Sequence, residues 1–132
     1  TEIAKLNSDI LVQFDEPIFA KDVTSLELSI LKRAYDVLAG VDGIRVAVVT
    51  YFDSSNEATK VLLNTPIYAI GLDLVYGEID EDVKIQLENS NKVLIAGVID
   101  SRNVWIRDID KKVEFLKNLN LHCDKIIIST SC

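Results

Sequence analysis

The chain contains no methionine, one histidine (His122), one tryptophan (Trp105), two cysteines and two prolines. Each scarcity excludes a class of chemistry. Cys123 and Cys132 form no CxxC pair, so they read as unpaired thiols of a reducing compartment rather than a disulfide framework. Basic stripes are absent and the formal net charge is −7, which argues against nucleic acid or an anionic membrane as the main partner. No apolar run reaches the ~18 residues of a membrane span, and no basic start precedes a short apolar segment, so the chain reads as cytoplasmic and soluble. The five glycines, Gly40, Gly43, Gly71, Gly77 and Gly97, have neither P-loop nor dinucleotide-binding spacing. Without an initiator Met, and with its end directly after a strand, the chain is expected to be a segment of something longer.

What is present is alternation. The length of 132 residues fits one domain, and a composition 48% hydrophobic and 27% charged predicts a folded core. The stretch from Lys92 to Asp108 sets the pattern, with a continuous apolar run, Val93 to Ile99, followed at once by Asp100, Ser101, Arg102 and Asn103. Other strands are expected at Asp9–Phe14, Ile44–Val49, Ile67–Val75 and Lys125–Ser129. Glu2 to Leu6 reads as the last turn of a helix. Capping boxes, Thr24 with Glu27 and Ser54 with Glu57, predict the starts of two helices. Gly40 and Pro66 end them. Asp80 and Asp108 are expected to cap two more, the latter carrying Ile109, Val113, Leu116 and Leu119.

Five apolar strands alternating with four helices, none joined by a hairpin turn, require parallel pairing through crossovers and hence an α/β fold. Residues 1–132 are expected to form one segment of a partial (β/α)8 barrel with five parallel strands, or alternatively a doubly wound open sheet. Length favours the open sheet. Apolar outermost strands, exemplified by Ile126-Ile127-Ile128, favour the barrel, because an open sheet blunts its edges with charge or proline.

In either architecture ligands bind at the carboxyl ends of the strands. Those ends carry Asp15, Glu16, Thr50, Tyr51, Asp53, Asp73, Asp100, Arg102, Asn103 and Cys132. The ligand-cleft candidates are Asp15, Glu16, Tyr51, Asp73, Asp100, Arg102 and Asn103. Asp73 lies among apolar neighbours and needs a partner, for which Arg102 is the expected countercharge. A metal site is not expected. His122 and Cys123 precede the fifth strand and Cys132 follows it, about 20 Å away at ~3.3 Å per residue, so they cannot share an ion, and Cys132 lacks a nearby base.

Taken together, Val12-Gln13-Phe14-Asp15-Glu16-Pro17, Thr50-Tyr51-Phe52, Gly71-Leu72-Asp73-Leu74-Val75, Gly97 to Trp105 and Ser129-Thr130-Ser131-Cys132 resemble the cobalamin-independent methionine synthase family. The likeness is to the later part of its N-terminal barrel. It implies two (β/α)8 barrels that transfer a methyl group from 5-methyltetrahydrofolate polyglutamate to homocysteine, with zinc in the C-terminal catalytic barrel. Where that catalytic barrel has a His-x-Cys pair and a Glu, this chain has Thr50-Tyr51-Phe52 and Asp73; only Cys132 matches a ligand. Arg102 stands where the catalytic histidine would be. The resemblance therefore implies the non-zinc barrel, with no catalytic residue, metal ligand or cofactor in this segment. Its implied partners are the catalytic barrel and, in the parent, the folate and homocysteine. Arg102, Asn103 and Trp105 are expected either to lock their loop or to touch the partner barrel or ligand. Two other readings are a self-sufficient α/β binding module and a barrel enzyme of uroporphyrinogen-decarboxylase type.

Overall fold

A computed structural model of the chain describes residues 2, 5, 10–105, 108–119, 121–122 and 125–132. The expected turn at Glu2–Leu6 falls largely outside these residues, and Asp9 and Cys123 fall wholly outside them. The described elements are β1 (Ile10–Asp15), a 3-10 turn (Pro17–Phe19), α1 (Ser25–Leu38), β2 (Ile44–Val49), α2 (Asn56–Leu63), β3 (Ala69–Asp73), α3 (Glu81–Asn89), β4 (Val93–Ile99), α4 (Ile109–Lys117) and β5 (Ile126–Thr130). All four strand pairings are parallel and the sheet order is β1-β2-β3-β4-β5.

Spatial order equal to chain order fixes the winding. Because successive crossovers share one hand, every helix falls on the same side of the sheet; a doubly wound sheet must instead reverse its order to cover both sides. Side-chain packing agrees. Val46, Val48, Ile70, Leu72, Leu94, Ala96 and Val98 join Leu31, Tyr35, Ala58, Leu62, Val83 and Leu87 in the main core. The alternate strand positions Ala47, Ala69 and Val93, with partly buried Ile95, form a second cluster on the opposite face. This single winding is the order that consecutive barrel units share, and among the described strands it lacks the reversal of a doubly wound sheet.

Local sequence explains most boundaries. Thr24 Oγ1 accepts the Glu27 N–H while Glu27 Oε2 accepts the Thr24 N–H at 2.7 Å, completing the predicted capping box of α1. Asp80 accepts from Val83 at 2.8 Å and Asp108 from Lys111 at 3.2 Å, as expected for α3 and α4. The Ser54–Glu57 box does not form. Helix α2 begins one residue later with Ser55 at its N-cap and no side-chain cap, because both hydroxyls bond elsewhere. Ser54 Oγ accepts from the Glu78 N–H, and Ser55 Oγ lies between Thr50 Oγ1 and Thr59 Oγ1.

Strand β3 is shorter than predicted. Asp73 Oδ1 accepts the N–H groups of Val75 and Tyr76, both at 2.9 Å, which turns the chain out of the sheet. Strand β1 is less apolar than expected, since Gln13 and Asp15 alternate with its core-facing positions. At the other edge Ile127 and Ile128 remain about half exposed.

Candidate functional site at the carboxyl edge

Strands β1 to β4 deliver their last residues to one rim, and the loops after them fold across it. Three polar groups fall together at the β1/β2 end. Gln13 Nε2 donates to Asp15 Oδ1 at 2.7 Å, and the Tyr51 hydroxyl donates to the same oxygen at 3.1 Å. The Tyr51 hydroxyl is held above its ordinary pKa, chiefly by burial, then by its bond to Asp15 and that group's charge, with a smaller contribution from Cys132. Thr50, fully buried, is structural: its hydroxyl donates to the Gly71 carbonyl at 3.1 Å and meets Ser55.

Glu16 does not join this group. It accepts from the Tyr35 hydroxyl at 2.8 Å, on the helix side of the sheet, where Tyr35 also meets the Phe14 ring edge-on at 5.9 Å. Asp53 accepts the next residue's N–H, Ser54, at 2.7 Å. Neither carboxylate is assembled with Asp15.

Asp73 and Arg102 are not the expected ion pair. Asp73 is 3% exposed; its Oδ1 is filled by the two backbone donors, and Oδ2 has no hydrogen-bond partner among the described residues. The Arg102 guanidinium instead lies over the Tyr76 ring, 3.8 Å from its centroid, with the Phe52 ring at 5.9 Å. Tyr76 draws the ring toward β4, because its hydroxyl donates to Asp100 Oδ2 at 2.9 Å. Asp100, mostly buried, also accepts from the Arg102 N–H at 3.0 Å and from the Asn103 amide. Asn103 Oδ1 accepts the Trp105 N–H at 3.2 Å, and Ser101 donates to the Cys132 carbonyl at 2.8 Å. The β4 loop is thus tied both to the β3 loop and to the end of β5.

Sequence reasoning missed Tyr76, which touches Asp73, Asp100 and Arg102. Its one signal was position, three residues after an acid at a strand end, where an Asp that turns the chain bonds the N–H. Phe52, with φ of 79°, was missed as well. Gly77 is required by space: a Cβ there would meet the Asp73 carbonyl at 2.6 Å.

Among the described residues no three His, Cys, Asp or Glu side chains converge. His122 is exposed and stands before β5, while Cys132 follows it. No described helix is long and apolar enough to cross a membrane.

Comparison with known proteins gives this rim its family context. The profile described as "Cobalamin-independent synthase, N-terminal domain" matches residues 1–124. Among similar proteins, the 5-methyltetrahydropteroyltriglutamate–homocysteine methyltransferase of Desulforamulus reducens is 42% identical over 99% of this chain. The proteins of that name from Streptomyces avermitilis and Kali turgidum are 35% and 38% identical over 92% of it. The chain spans only 17%, 16% and 17% of those three relatives' lengths. With that profile covering residues 1–124, the chain belongs to the cobalamin-independent methionine synthase family, where it matches the N-terminal domain.

Proposed function

We propose that this chain is an arc of the N-terminal (β/α)8 barrel of a cobalamin-independent methyltransferase. The parent transfers a methyl group from 5-methyltetrahydropteroyltriglutamate to homocysteine, and this arc walls the folate cleft without contributing a reacting group. The observation that carries the reading is the family match over residues 1–124 on a singly wound sheet whose polar residues gather at one rim.

The edges of the sheet support the barrel. Beyond β5, Val113, Leu116, Leu121, Ile126 and Ile128 line an apolar groove; beside α1, Ile18, Phe19, Val23, Ile30 and Ala34 line another. Their occupants are the adjoining βα units of the same polypeptide, since relatives of this family carry about six times this chain's length. Completing the barrel would also pair the outer edges of β1 and β5.

The rim's chemistry supports a wall. Methyl transfer to a thiol requires a stabilised thiolate, which zinc supplies by keeping the sulfur deprotonated. These residues do not fit that ion, and the zinc belongs to the catalytic barrel that this arc faces. Here Asp100 holds the β4 loop, Asp15 and Tyr51 hold the β1/β2 end, and Asp73 fixes the turn after β3. Their work is to set the shape of the cleft. Family membership also favours this reading over a decarboxylase of similar architecture.

The test is methionine formation by the full-length polypeptide that carries this chain, supplied with the triglutamate methyl donor, homocysteine and zinc in cobalamin-free buffer. Methionine should form, and should persist when Asp100 is changed to Asn if the polypeptide remains folded. Absence of methionine from a folded, zinc-loaded protein would refute the activity. A loss of turnover in Asp100→Asn of the size expected for a reacting group, at least ~10²-fold, would refute the wall.

A further inference from the structure

Three loops bring one cation and two aromatic rings to the same point on the rim. Phe52 comes from the loop after β2, Tyr76 from the loop after β3 and Arg102 from the loop after β4. The Tyr76 ring covers one face of the guanidinium at 3.8 Å and Phe52 stands at 5.9 Å. Stacking occupies the faces of a guanidinium but leaves its N–H groups, which lie in its plane, free for an acceptor approaching the edge. No carboxylate among the described residues pairs with that edge, although the chain carries 21 acidic residues against 14 basic ones.

The arrangement is held in place. Asp100 accepts the Arg102 N–H and the Asn103 amide, and the Tyr76 hydroxyl bonds the same carboxylate, so the backbone under Arg102 and the ring over it share one anchor. Phe52 keeps a left-handed φ of 79°, which a bulky side chain adopts only where its surroundings enforce it. Apolar surface adjoins the cation in sequence: Val104 is 93% exposed and Trp105 76%. A preset cation beside exposed apolar side chains is a composition suited to recognition.

We propose that Arg102 is a receptor for a carboxylate attached to an apolar or aromatic body. The carboxylate closes on the guanidinium fork through two N–H···O bonds, while the body rests on exposed apolar surface of the same rim. A monoanion fits better than a phosphate dianion, because the Asp100 carboxylate, bonded to the Arg102 N–H and to the Tyr76 hydroxyl, adds negative potential. The carboxylate has two sources to distinguish: a small molecule, or an Asp or Glu side chain from elsewhere in the longer polypeptide. The inference does not rest on methyl transfer.

The experiment uses the full-length polypeptide carrying this chain, with benzoate as probe and benzamide as its neutral counterpart. Binding is followed by ligand-observed saturation-transfer NMR, and backbone protection of residues 100–105 by hydrogen exchange. For a small-molecule source, benzoate binds in preference to benzamide, and R102Q weakens it by at least ~10-fold, the scale of a charge-assisted hydrogen bond. For an internal source, benzoate does not bind the unaltered protein, while R102Q loses protection in the loop and R102K, which keeps the charge but not the fork, restores it only in part. The proposal is overturned if benzamide binds as well as benzoate, if R102Q matches the unaltered protein in both readouts, or if R102K is protected as fully as the unaltered protein, since a lone charge would then do the work of the fork. Neither readout involves turnover, so its failure and that of the methyltransferase reading are separable.

Discussion

Replacing Gly97 with Ala tests the packing of the central signature stretch. Gly97 lies in β4 in register with Asp73 of β3 and Ser129 of β5. A Cβ built on it would stand 2.7 Å from the Leu72 carbonyl oxygen, 2.9 Å from that of Thr130 and 3.0 Å from Ser131 Cα. All three are backbone atoms of flanking segments, so no side chain can swing aside, and two strands must move. Gly97 does not have a positive φ, so the penalty is one of space alone. Overpacking of this kind costs about 1–3 kcal/mol. With a urea dependence of about 1–3 kcal/mol/M, the unfolding midpoint should fall by about 1 M. Gly71→Ala is the control, because its Cβ would meet the Val49 side chain, 2.7 Å from Cγ1. There Val49→Ala should restore much of the loss, whereas no single truncation should rescue Gly97→Ala. Urea unfolding followed by far-UV circular dichroism measures both. A Gly97→Ala midpoint within error of the parent's, with an unchanged slope, would refute the argument.

Tyr35 and Asp73 give two further expectations. Burial, then the bond to Glu16, raises the Tyr35 pKa well above its ordinary value of 10. Folding therefore retains a proton that the unfolded chain releases: this stability is fully present below pH 10 and declines by about 1.4 kcal/mol per pH unit above it, until the folded group titrates. Tyr35→Phe should cost about 1 kcal/mol at neutral pH through the lost hydrogen bond and should flatten the alkaline decline. Equal declines in urea midpoint between pH 9 and 11 would refute this. Asp73→Ala removes the acceptor for two partly buried N–H groups and should cost about 1–3 kcal/mol, while Asp73→Asn keeps an oxygen at Oδ1 and should cost less. Equal urea midpoints for the two variants would show that the turn does not depend on that oxygen.

The fold was legible because its signals are local and repeated. β-branched runs marked the strands, Thr24, Asp80 and Asp108 marked three helix starts, and the lack of hairpin turns required parallel order. What failed depended on competition between partners that sequence does not place. Ser54 and Ser55 resemble caps, but Glu78, Thr50 and Thr59 take their hydroxyls. Arg102 and Asp73 look like countercharges, yet two backbone N–H groups reach Asp73 first and an aromatic face receives Arg102. Tyr76 was unreadable for a related reason. Its role arises from three loops meeting, and an exposed Tyr after a strand has no spacing rule that predicts a neighbour 24 residues later.

Those competitions also bear on the proposed role of the rim as a wall of the cleft. A general acid or base needs a proton route to its substrate, but Asp15 is engaged by Gln13 and Tyr51, Glu16 by Tyr35, and Asp100 by Tyr76, Asn103 and the Arg102 backbone. Each such bond fixes a loop and lessens what its carboxylate can offer a ligand. Among the described residues, buried Asp73 Oδ2 has no hydrogen-bond partner, and the exposed Arg102 guanidinium is stacked on Tyr76 with no carboxylate on its edge. Burial closes the first to a ligand arriving from solvent. Exposure lets the second meet a ligand or another part of the polypeptide without rearrangement, so recognition at this rim should begin at Arg102.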